Sequence, residues 1–78
     1  MPHVTIYTVP GHSEEVKQSL SEKIRRTVSQ EFDVEEGVIS VSVEEVEKTD
    51  WRPFIRTVNP ESFYIEPSYL PEYQDNNK

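Results

Sequence analysis

Met1-Pro2-His3-Val4-Thr5-Ile6-Tyr7-Thr8-Val9-Pro10-Gly11 opens the chain, and its reading decides the fold. Val4, Ile6 and Thr8 fall on one side of an extended backbone; His3, Thr5, Tyr7 and Val9 fall on the other. This period of two predicts a strand from Val4 to Val9. Pro10-Gly11 stops it, because proline brings no N–H to a ladder and glycine permits a turn. Ser13 then offers an N-cap, and Glu14 and Glu15 suit the positive end of a helix dipole. Val16, Leu20, Ile24, Thr27, Val28 and Phe32 recur at steps of three and four, the stripe of an amphipathic helix that fades near Asp33. Lys17, Glu22, Lys23, Arg25, Arg26 and Gln30 make its solvated face.

Val34-Glu35-Glu36-Gly37 reads as a turn, and Ile39, Val41 and Val43 alternate with Ser40, Ser42 and Glu44 in a second strand through about Val46. Strand, helix and strand joined by one long crossover predict a right-handed parallel βαβ unit. The helix covers the face of Val4, Ile6, Ile39, Val41 and Val43. The opposite face, with His3, Tyr7, Ser40 and Ser42, needs a cover, and a second subunit is the cheapest one. Trp51 to Arg56 reads as a short turn of helix or a strand. Pro53, Pro60, Pro67 and Pro71 rule out one long helix in the last third. Phe63, Tyr64, Ile65, Tyr69, Leu70 and Tyr73 are too apolar for a free arm, so packing on this subunit or a neighbour is expected. The expectation is an α+β fold: one βαβ unit with a two-stranded parallel sheet, one amphipathic helix and a Pro/Tyr-rich arm, oligomerising through the sheet. One domain spans residues 1–73, with a disordered tail at 74–78.

A chain of 78 residues holds one small domain with little buried surface of its own. It has no cysteine to staple it, and His3 and His12 are its only histidines. No metal-ligand spacing is present, so no metal site is expected. The net charge of −7 argues against nucleic acid and anionic membranes as partners. No apolar run approaches a membrane span, and the N-terminus shows no signal-peptide core, so a cytoplasmic protein is expected.

Pro2 is the candidate catalytic residue. A small second residue lets an aminopeptidase remove Met1 and expose a secondary amine at the head of a strand. An unperturbed α-amino group titrates at about 7.7–8.0. A modest downward shift makes such an amine a general base near neutral pH. With Met1 in place the same nitrogen is an amide and no base. The plainer reading is a proline that merely starts a strand.

Pro2-His3-Val4-Thr5-Ile6, Pro10-Gly11-His12-Ser13 before the helix, Val38-Ile39-Ser40-Val41-Ser42-Val43 and then Trp51 form, in that order and spacing, a pattern that resembles the tautomerase superfamily. The likeness covers residues 2–51. It is closest to the small 4-oxalocrotonate tautomerase family, and within it to the phenylpyruvate-type members. The resemblance implies metal-free, cofactor-free keto–enol tautomerisation in which the terminal proline takes the enol hydroxyl proton and returns a proton to carbon. An apolar pocket would lower the amine pKa by disfavouring its charged form. Trp51 is the candidate pocket wall, with a plain core or interface tryptophan as the alternative. The best-known 4-oxalocrotonate tautomerases hold a dicarboxylate with two arginines, and here the matching positions are His12 and Ser40. Neither gives the bidentate grip of arginine. A small arylpyruvate-like 2-oxo acid is therefore the expected substrate, with Ser40, Trp51 and His12 as substrate-binding residues. Arg52 and Arg56 could add positive charge, but surface ion pairs are the simpler role for them. His3 and Tyr7 line the same sheet face, where subunit packing is expected of them. The resemblance implies a homodimer, with a homohexamer as the alternative. Rival functions are hydration or dehalogenation of an unsaturated acid with Pro2 as acid, and a non-catalytic oligomeric module that shares the fold.

Overall fold

A computed structural model describes residues 1–71. The expected end of the domain at residue 73, Tyr73 itself and the tail at 74–78 lie outside the described residues. Strand β1 spans His3–Thr8, helix α1 Glu14–Phe32, strand β2 Ser40–Glu45 and helix α2 Trp51–Ile55. Single 3-10 turns lie at Glu36–Val38, Lys48–Asp50 and Pro60–Ser62.

The two strands pair in parallel, His3 opposite Ser40 and Thr8 opposite Glu45, and α1 makes the crossover between them. The expected βαβ unit is present. Both strands are shifted slightly from the sequence reading. Ile39 spends its N–H on the Glu36 carbonyl at 3.0 Å, in the 3-10 turn, so the ladder begins one residue later. At the other end Val46 N–H reaches the Thr8 carbonyl at 2.8 Å, and Val9 lies beyond β1.

Ser13 caps α1 as its sequence implies, its Oγ accepting from the Val16 N–H at 3.1 Å. The C-terminus closes on Asp33 in the left-handed region, at φ 56° and ψ 51°, with its N–H on the Ser29 carbonyl. Ser29 Oγ also donates to the Val34 carbonyl at 2.6 Å, which turns the chain toward β2.

The rotation of α1 on the sheet differs from the apolar stripe. Lys17, Ser21, Ile24 and Val28 are half-buried, whereas Val16, Leu20 and Phe32 are exposed. Lys17 therefore does not belong to the solvated face. Its side chain is only 19% exposed, and its Nζ bridges Glu14 at 2.9 Å and Glu45 at 3.0 Å. This ties the first turn of α1 to the end of β2. The two carboxylates hold the Lys17 ammonium, raising its pKa above the usual lysine value through the hydrogen bonds it donates to Glu14 and then Glu45. Docking on this flank leaves Ile39, at 5% exposure, as the only buried hydrophobic side chain among the described residues.

The Tyr7 end of the other sheet face is partly covered from within the chain. Helix α2 brings the Phe54 ring to 4.7 Å from the Tyr7 ring, and Trp51 lies 5.8 Å from Phe54. Pro53 sits in the first turn of α2, where no helical N–H is required. In the C-terminal arm Phe63 and Leu70 are half-buried, Tyr64 is 99% exposed, and Ile65 and Tyr69 are exposed too. The Cα radius of gyration is 14.9 Å. A compact chain of this length would have about 11 Å. The single chain thus leaves much apolar surface unburied. No helix among the described residues is long and apolar enough to cross a membrane.

Candidate functional site

The head of β1 is the candidate site. Met1 is 96% exposed. Pro2 is half-buried, and its carbonyl accepts from the Ser40 N–H at 3.2 Å. The parallel register creates this contact, because it sets the first residue of β2 against the first of β1.

Side chains on the sheet face turned away from α1 form a hydrogen-bonded group. His3 Nδ1 lies 2.6 Å from Ser40 Oγ. His3 Nε2 lies 3.1 Å from both Thr5 Oγ1 and Ser42 Oγ. Ser42 Oγ donates to Thr5 Oγ1 at 3.2 Å. His3 and Ser40 are exposed, while Thr5 and Ser42 are half-buried. The structure therefore joins His3 to Ser40 through their side chains and Pro2 to Ser40 through the backbone. The sequence reading chose Ser40 but gave His3 only a packing role and passed over Thr5 and Ser42. Alternation along each strand already put these four on one face. What it lacked was the register that sets His3 beside Ser40.

Trp51 is not brought to Pro2 within one chain. It is half-buried and packs through Phe54 at the Tyr7 end of β1. That end is five strand positions from Pro2, about 17 Å at the usual rise. His12 is exposed and lies on the helix side of the sheet, in the wall of a hollow of about 150 Å³ with Ile6, Thr8, Val16 and Leu20. Arg52 is half-buried on α2, and Arg56 is exposed at its end. Among the described residues no three His, Asp or Glu side chains converge as metal ligands would.

A parallel βαβ unit whose first strand is led by a proline is the arrangement expected of the tautomerase superfamily. The chain is 31% identical over 51 residues to a protein named "Probable tautomerase" of Xylella fastidiosa (strain 9a5c). The match takes in 65% of this chain and 62% of that protein's length. No family model matches the chain. Fold and likeness together support the tautomerase superfamily.

Proposed function

We propose that this chain, once Met1 is removed, is a cofactor-independent keto–enol tautomerase of a small arylpyruvate-like 2-oxo acid, nearest in kind to the phenylpyruvate-type members of the 4-oxalocrotonate tautomerase family. The observation that carries the reading is Pro2 at the head of β1, in backbone contact with Ser40, in a chain similar to a protein named a tautomerase. The Pro2 nitrogen takes the enol hydroxyl proton. The electron pair of that O–H bond forms the carbonyl. The C=C pair then takes a proton from the prolinium nitrogen, so atoms and charge balance over the cycle. One group acts first as base and then as acid, which requires a pKa near the working pH. Ser40 donates to the substrate carboxylate.

The site is completed by a second copy of the chain. A two-fold partner laid antiparallel brings its Tyr7–Phe54–Trp51 end to Pro2 and sets the indole against the aryl group. Exposed Val16, Leu20, Phe32, Tyr64, Ile65 and Tyr69, and the open outer edges of a two-stranded sheet, support assembly as a homodimer or homohexamer. His12 takes part only through such a neighbour. The cytoplasm, where initiator methionines are removed, is the proposed place of action.

The test pairs intact mass with kinetics. The mature chain should lack Met1 and convert an arylpyruvate enol to its keto form. Pro2→Ala should lose on the order of 10²-fold in kcat/KM, the scale of a positioned acid–base group. Equal rates for the two proteins refute the mechanism. Activity on an unsaturated acid that falls as pH rises through the proline pKa would instead favour proton donation in a hydration or dehalogenation. A purified chain that retains Met1 would favour the non-catalytic module.

A further inference from the structure

A hydroxyl has one proton to give, and at 2.6 Å either Ser40 Oγ or His3 Nδ1 carries the hydrogen of their shared bond. If Ser40 donates to the ring, its proton is consumed and only lone pairs face outward. Those lone pairs repel a carboxylate. If the ring donates from Nδ1, the Ser40 proton is free to point away from His3. The side chains behind the ring decide which arrangement is available. Nε2 faces two hydroxyls, Thr5 and Ser42, each at 3.1 Å. Ser42 already donates to Thr5, which leaves the Thr5 proton for Nε2. Hydrogen bonds can then run in one direction, from Ser42 to Thr5, to the His3 ring, to Ser40 and outward.

We propose that His3 is the positioning residue that makes Ser40 a carboxylate donor beside Pro2, by giving its Nδ1 proton to Ser40 Oγ when an aryl monocarboxylate binds. The inference rests on the tautomerase reading for the meaning of the site but not for its geometry. The run has a built end and an open end: Thr5 and Ser42 are half-buried, and Ser40 is exposed next to the Pro2 carbonyl. One directed hydroxyl, with no bidentate cation, suits one carboxylate. In a chain of net charge −7 an anion needs such a directed donor, because the overall field opposes it.

Phenylacetate is the probe, added to the full mature chain, with binding read by calorimetry and by the ¹⁵N signals of the His3 imidazole. In the complex, Nδ1 should carry a proton. His3→Leu and Ser40→Ala should each weaken binding by about 10- to 100-fold, the scale of a hydrogen bond to a charged group. The double variant should be no weaker than either single one. His3→Asn, which sets an amide N–H where Nδ1 stands, should recover most of the affinity. An Nδ1 that stays unprotonated in the wild-type complex overturns the proposal whether or not any variant folds. So does wild-type affinity in His3→Leu, losses that multiply in the double variant, or failure of the wild type to bind the probe. Turnover enters none of these readouts. Failure of Pro2→Ala to slow catalysis would sink the tautomerase reading and leave this one standing, and the reverse also holds.

Discussion

Ile39→Ala tests where the core lies. Ile39 is 5% exposed and stands between the 3-10 turn and β2, directly before Ser40. The substitution removes three carbons, at about 0.8 kcal/mol each when buried. That gives about 2.4 kcal/mol, and the cavity left behind raises it to about 3 kcal/mol, within the usual range for such changes. A domain of this size holds about 4–12 kcal/mol in total, so the loss is a large share. Val16→Ala is the control. Val16 is 54% exposed, and its loss in a single chain should stay below about 1 kcal/mol. The assay is urea unfolding at several protein concentrations, because assembly adds stability by mass action. At the lowest concentration, the midpoint of Ile39→Ala should fall well below that of Val16→Ala at unchanged slope. Raising the concentration should restore part of the loss in both. If Ile39→Ala costs no more than Val16→Ala in the dilute limit, the packing of α1 described above is wrong.

Phe54→Ala should cost about 2 kcal/mol, from partial burial and two ring contacts at 4.7 and 5.8 Å. Emission from Trp51, the only tryptophan, should shift to the red as the indole loses its neighbour. Ser13→Ala should cost about 1 kcal/mol in thermal unfolding, the value of a side-chain N-cap, with turnover unchanged because the cap lies away from Pro2. The Lys17 pairing should show a defined pH window. Its pKa is raised in the folded state by Glu14 and Glu45, so its stabilisation is fully present below the unfolded lysine value of about 10.4 and is lost as pH rises through the folded value. The Tm gap between wild type and Lys17→Met should be flat from pH 7 to 9 and narrow only above that range. A gap that widens with alkaline pH contradicts the assignment.

Local chemistry made most of the backbone legible. The alternation in Val4–Thr8 and Ile39–Val43, the Ser13 cap and the breaker Pro10-Gly11 each act over a few residues, and each appears where the pattern put it, within one residue at the strand ends. Lys17 shows where that reasoning runs out. A helical wheel assigns it to water, but the angle at which α1 meets the sheet is set by packing between elements, and there the ammonium finds Glu45. The candidate site divides in the same way. Pro2 and Ser40 could be chosen from the string of residues, since a proline after methionine and a serine on an apolar strand are visible as such. Trp51 could be chosen too, yet in one chain it stands at the far end of β1 from Pro2. The role of His3 was not visible: its partner Ser40 is 37 residues away in the chain, and only the parallel register sets the two side chains 2.6 Å apart. Period and turn chemistry are properties of neighbours along the backbone, so the sequence alone determined the order and kind of the elements. Register, helix rotation and the company each side chain keeps depend on contacts between distant segments, so the tertiary structure alone decided that His3, Thr5, Ser42 and Ser40 form one hydrogen-bonded run beside Pro2.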